Sequence, residues 1–148
     1  MKLRWGALCI VLVLSALMPR VLTAQGGQTP ARKPGVLKQN YPNPFNPETR
    51  IPFSIGNDKC DDPGRQHKVS LRIYNILSQL VAIPVLQGGT GGVAGGVRLV
   101  DVMLTCGDYV AYWDGKYMGT KTEAASGVYL YELRIDGVPL VKRMLITK

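Results

Sequence analysis

The last fifth of the chain sets the strongest constraint. Gly127 to Ile135 alternates Tyr129, Tyr131, Leu133 and Ile135 against Val128, Leu130, Glu132 and Arg134. Successive strand side chains point to opposite faces, so this period of two belongs to a half-buried strand. Asp136-Gly137 follows, and Val138 to Thr147 resumes an apolar run. A two-residue Asp-Gly connection suits a type I′ turn, in which both central residues need positive φ. The segment therefore predicts a β-hairpin. The same period recurs upstream: Ile51, Phe53 and Ile55, then Val69, Leu71 and Ile73, then Tyr109 to Trp113 ahead of the turn pair Asp114-Gly115. Leu80 to Leu86 is β-rich but carries Pro84, which predicts an edge or a bulge. Arg98 to Leu104 offers a further strand. No stretch sustains a helical period. With 17 Gly and 10 Pro among 148 residues, turns and short strands are favoured over long helices. The expected fold is all-β, an immunoglobulin-like antiparallel β-sandwich of about seven strands.

The N-terminus reads differently. Lys2 and Arg4 precede an uncharged stretch from Trp5 to Met18, and Leu22-Thr23-Ala24 supplies a small residue for cleavage. That is the pattern of a secretory signal peptide over residues 1–24. An uncleaved anchor is the alternative, although the apolar run is short for a membrane span. Residues 25–35 read as a flexible leader, and the folded domain is expected over 36–148. Removing Lys2, Arg4 and Arg20 from the 18 basic residues leaves 15 against 10 acidic ones, a net charge of +5. The bases are scattered rather than clustered, which argues against a nucleic-acid partner.

Asn40 to Pro47 reads Asn-Tyr-Pro-Asn-Pro-Phe-Asn-Pro. Each proline fixes φ and removes an N–H, so this stretch is neither helix nor central strand. It is expected to be polyproline-like, anchored by Tyr41 and Phe45.

Taken in order, five pieces resemble one family. They are Gln39 to Pro47, Val69 to Asn75, Trp113-Asp114-Gly115, Ala125 to Tyr131, and Lys142 to Leu145 ahead of the terminal Lys148. The region from Leu37 to Lys148 is similar to the C-terminal sorting domain of type IX secretion cargo, itself similar to the immunoglobulin-like domain of the flagellar hook-capping protein. The resemblance implies a non-catalytic module read by outer-membrane export machinery. It implies recognition through Asn43, Pro44, Phe45, Asn46, Pro47, Gly127, Val128, Tyr129 and the terminal strand through Lys148. It implies export to the periplasm, the cell surface or the medium, with a protein partner and no small-molecule substrate. The family usually has Gly where Ser78 stands. A stand-alone structural or adhesive envelope module, pairing through an open sheet edge, is the alternative.

Other constellations carry less. Cys60 and Cys106 are the cysteines beyond the signal segment, and an even pair in an exported chain reads as a disulfide. Closing a loop of that length stabilises by roughly 3–4 kcal/mol in the chain-entropy picture. Two thiols too far apart to bridge are the other reading. Cys60, Asp61, Asp62, His67 and Cys106 match no zinc spacing, and His67 is expected in a polar loop. The glycine tract Gly88 to Gly96 lacks the Lys-Ser/Thr and the helix of a phosphate loop, so a mobile loop is expected. Asp108, Asp114, Glu132 and Asp136 lie on separate turns and strands and do not assemble a calcium cage. Trp113, Tyr129 and Tyr131 are expected in the core rather than on a sugar-binding face. No metal or cofactor is expected, and no enzymatic activity.

Overall fold

The computed structural model describes residues 33–56, 62–88 and 94–148. Among them are nine strands and no helix. They are β1 (Gly35–Leu37), β2 (Thr49–Ile55), β3 (Gln66–Asn75), β4 (Leu80–Ala82), β5 (Val85–Leu86), β6 (Val102–Thr105), β7 (Gly107–Trp113), β8 (Gly127–Ile135) and β9 (Val138–Ile146). One sheet has the order β1-β2-β7-β5. The other has the order β4-β3-β8-β9, with β6 also paired to β3. Every strand pairing is antiparallel. The protein is an all-β sandwich of two antiparallel sheets.

The alternation seen in the sequence is the inward face of each sheet. Ile51, Phe53 and Ile55 from β2 and Tyr109, Ala111 and Trp113 from β7 are buried. They face Val69, Leu71 and Ile73 from β3 and Tyr129, Tyr131, Leu133 and Ile135 from β8, also buried. Apolar area removed from both sheets drives the pairing. Phe53 and Tyr109, opposite each other in the register, stack with ring centroids 5.6 Å apart.

The final hairpin forms as expected. Asp136 and Gly137 sit at φ 50° and 84°, and Ile135 pairs with Val138 across the turn.

Two expectations change. Leu80 to Leu86 is not one strand. β4 belongs to one sheet and β5 to the other, and Ile83-Pro84 carries the chain between them. Pro84 cannot donate to a ladder, but its carbonyl accepts from Leu99 N at 3.0 Å. The edge position that Pro84 predicts holds, since β4 and β5 each end the order of their sheet, but the run is divided there rather than bulged. His67 lies in β3, opposite Leu104 of β6, rather than in a loop. Its Nδ1 is 2.7 Å from Asp136 Oδ2, and a second oxygen of Asp136 accepts from Lys68 N at 2.9 Å. A turn carboxylate thus ties the β8–β9 hairpin to the start of β3.

The glycine tract is closed at its base. Leu86 N donates to Val97 O at 2.7 Å and Gly96 N to Leu86 O at 2.8 Å. Gly88 and Gly95 lie backbone to backbone, where a Cβ on either would meet the other's amide nitrogen at under 3 Å. The middle of the tract lies outside the described residues.

Candidate functional site

The proline-rich segment is folded onto the sandwich rather than extended away from it. Tyr41 and Arg50 exchange two backbone hydrogen bonds of 2.8 Å and close the segment into a loop. Tyr41 and Phe45 are each held in a β-bridge with bends between them, so the segment is a closed loop and not the polyproline-like run expected. Inside the loop, Asn40 Nδ2 donates to Pro42 O and Thr49 Oγ1, each at 3.0 Å. Asn40 and Thr49 are buried, and these bonds satisfy their polar groups. Tyr131 Oη donates to Lys38 O at 3.0 Å and accepts from Asn40 N at 3.1 Å. By type Asn40 is a turn-closing residue, as its bond to Pro42 O shows; its burial and its links to Thr49 and Tyr131 are not legible in the sequence, because a buried Asn and a surface turn Asn read alike.

Of the two expected anchors only one is inside. Phe45 is 2% exposed and Tyr41 71%. Tyr41 pairs with Arg50, whose side chain is exposed, so its ring shares that outward face. Phe45 enters the core edge-on to Trp113, with centroids 5.5 Å apart, and Trp113 meets Tyr129 the same way at 5.8 Å. Edge-to-face contacts of this kind add to simple burial. Trp113 Nε1 donates to Lys116 O at 3.0 Å and Tyr129 Oη to Ala125 O at 2.9 Å. The aromatic stripe is core, as expected. Burial, a hydrogen bond with Tyr117 and the charge of that residue push the Tyr129 phenol up to about 12.

The backbone of Phe45 extends the outer edge of β9. Phe45 N donates to Leu145 O and Thr147 N to Phe45 O, both at 3.1 Å. Asn43 Oδ1 accepts from Leu145 N at 2.9 Å, and Gln39 Nε2 donates to Arg143 O at 3.0 Å. Pro47 O rests against Gly115, at φ 73°, so closely that a Cβ there would lie 1.9 Å from it. Lys148 N donates to Ser126 Oγ at 3.1 Å, and its Nζ lies 3.2 Å from Glu123 Oε2. Val128 is exposed and stands opposite Leu145, while Gly127 pairs with Ile146.

The nine residues that the resemblance implies for recognition therefore gather at one end of the sandwich, around the second half of β9. They divide into two groups. Phe45 and Tyr129, buried, and Pro47 and Gly127, half-buried, build the end. Asn43, Pro44, Asn46, Val128 and Lys148 are exposed on it.

The remaining candidates do not converge. Cys60 and Asp61 lie outside the described residues. Cys106 is disulfide-bonded, and its partner lies outside the described residues. Its Sγ sits 3.2 Å from Ile55 O; a disulfide sulfur has no proton to donate, so this is a packing contact. Asp62 caps Gly64 N at 3.0 Å. Asp108 pairs with Lys38, Asp114 caps Lys116 N, and Glu132 pairs with Arg134. Among the described residues no three His, Cys, Asp or Glu side chains are placed to hold a metal ion. A cleft of about 330 Å³ lies beside β5, lined by Val85, Arg98, Tyr112, Lys116 and Tyr117 among others. Its one carboxylate, Asp114, lies 3.8 Å from Lys116 Nζ. No family model, curated protein or solved structure matches the chain.

Proposed function

We propose that the chain is an exported, non-catalytic β-sandwich module of the type IX sorting kind, immunoglobulin-like in the broad sense, acting in secretion and surface attachment. Its partner is the outer-membrane export machinery. The observation that supports this is the assembly of four separated sequence segments into one end of the molecule. Residues 39–47, 113–115, 125–131 and 142–148 touch each other there through the Phe45–Trp113–Tyr129 rings, the Pro47–Gly115 approach and the Asn43–Leu145 cap. The exposed residues of that end surround the terminal strand, where a receptor reads both side chains and backbone. The test is a fusion of residues 36–148 to a reporter in a host with type IX machinery. Surface delivery is expected. Periplasmic retention of the folded fusion refutes the reading.

One observation favours the second reading, an adhesive module that pairs through a sheet edge. Odd-numbered residues of β9 turn their backbone outward, as the bonds at Arg143 and Leu145 show. Val141 lies on that outward row, and neither its N–H nor its carbonyl has a partner among the described residues. Pro139, two residues back, has no N–H to offer, a common way of blunting an edge. Val141→Pro removes the open donor at an exposed position. Loss of adhesion with retained delivery supports the second reading; unchanged adhesion removes it.

A further inference from the structure

The outer face of the β1-β2-β7-β5 sheet carries one continuous cross-strand row. Tyr41 stands opposite Arg50, Arg50 opposite Tyr112, Tyr112 opposite Val85, and Val85 opposite Arg98. Residues paired across a ladder share a face. The chain neighbours Thr49, Ile51, Ala111 and Trp113 are buried, so the row points outward. Its strand-to-strand steps span roughly 19 Å at about 4.8 Å each. Tyr112 lines two depressions in this face. One is the cleft of about 330 Å³ that Arg98, Asp114, Lys116 and Tyr117 also line. The other, of about 160 Å³, holds Asn46, Glu48 and Arg50.

The polar groups of the two depressions are unequally committed. In the larger, Asp114 Oδ1 accepts from Lys116 N at 3.1 Å and Asp114 Oδ2 lies 3.8 Å from Lys116 Nζ, so this acid and this lysine answer each other. Arg98 has no ion pair among the described residues. In the smaller, Glu48 Oε2 accepts from the Tyr112 hydroxyl, and Arg50 has no ion pair among the described residues. The capacity left over is a guanidinium fork in each depression and the second oxygen of Glu48.

We propose that this row binds an acidic oligosaccharide: a uronate carboxylate on Arg98, a sugar ring against Tyr112, hydroxyls of the next unit on Arg50 and Glu48, and the far end of the chain on Tyr41. A pyranose has an apolar C–H face and a rim of hydroxyls, which match a tyrosine ring flanked by donors and acceptors. A carboxylate takes two parallel bonds from a guanidinium. Glu48 stands beside Arg50, so only the larger cleft selects for an acid. A peptide laid across the row would find no main-chain partners, because the backbone of these strands is spent on the ladders. The proposal goes beyond the sorting reading and is independent of it, since it needs no export machinery.

The test is calorimetric titration of the full chain with tetrasaccharides of galacturonate, mannuronate and hyaluronan, each beside its neutral methyl ester. At least one acid form should bind at millimolar concentration or below, and its ester about tenfold more weakly. Arg98→Gln should weaken the acid form about tenfold and the ester little. Tyr41→Ala and Tyr112→Leu should weaken both forms several-fold. Arg98 and Tyr41 are exposed, so their variants should keep the melting temperature. The formal net charge of +8 attracts any polyanion. Lys142→Gln, which removes the same charge at an exposed position of β9, is therefore the control and should change nothing. Absence of binding by every acid form overturns the proposal. So does an equal loss in Arg98→Gln and Lys142→Gln, or an affinity indifferent to both tyrosine variants.

Discussion

Gly115→Ala tests how the proline-rich segment is held. Two terms act there. Gly115 sits at φ 73°, and a non-glycine residue in the left-handed region costs roughly 1–2 kcal/mol. The added Cβ would also lie 1.9 Å from Pro47 O and 2.8 Å from Pro47 C. Both neighbours are backbone, so no rotamer change relieves the contact. Pro47 must move by more than an ångström, and Phe45, two residues away, is wedged against Trp113. Losing part of that aromatic burial adds on the order of 1–3 kcal/mol. The total is about 3 kcal/mol or more, which for a domain of this size lowers the melting temperature by roughly 10 °C. Gly119→Ala is the internal control. Its φ is 75°, but nothing lies within 4 Å of the added Cβ, so it carries the conformational cost of about 1 kcal/mol alone. Urea unfolding of the three proteins, followed by fluorescence, measures the difference. If the two alanine variants lose the same stability, the close docking of Pro47 on Gly115 is wrong.

Ser78 occupies φ 60°, so Ser78→Gly should stabilise the domain by about 0.5–1 kcal/mol in the same assay. Burial raises the Asp136 carboxyl, but the hydrogen bonds from His67 and Lys68 N, with the charges of His67 and Arg65, more than offset it and hold the group below its ordinary range. Its contribution to stability is therefore present above the unfolded carboxylate value of about 3.9 and lost as pH falls through the lower folded value; thermal melts below pH 4 should show the wild type losing more stability than Asp136→Asn. Tyr129 runs the other way. Its raised value favours the neutral folded form, so stability is intact below about 10 and declines as pH rises towards 12, and the phenolate absorbance of Tyr129→Phe should lack the last folded-state step.

Much of the architecture was readable in the chain, because strand alternation is local. The inward rows of β2, β3, β7 and β8 were the alternating residues themselves, and Asp136-Gly137 formed the turn its chemistry prescribes. The candidate end was readable in part. Trp113, Tyr129 and Phe45 were marked by type. That they touch was not visible, because they lie on three separate segments, Phe45 68 residues before Trp113 and Tyr129 16 after it.

Sequence alone determined the class of structure, the final hairpin and the presence of a rigid proline-rich segment. These follow from side-chain period and from φ limits that each residue carries wherever it sits. Tertiary structure decided which residues of that segment point inward, that Leu80 to Leu86 divides between two sheets, and that His67 pairs with Asp136 from a strand. It also decided that Ile76 and Leu77 stay in water while their apolar neighbours are buried. The physical reason is that burial belongs to a position in the packed whole: two sheets have only two inner faces, and which side chains fill them is settled by how the strands are ordered.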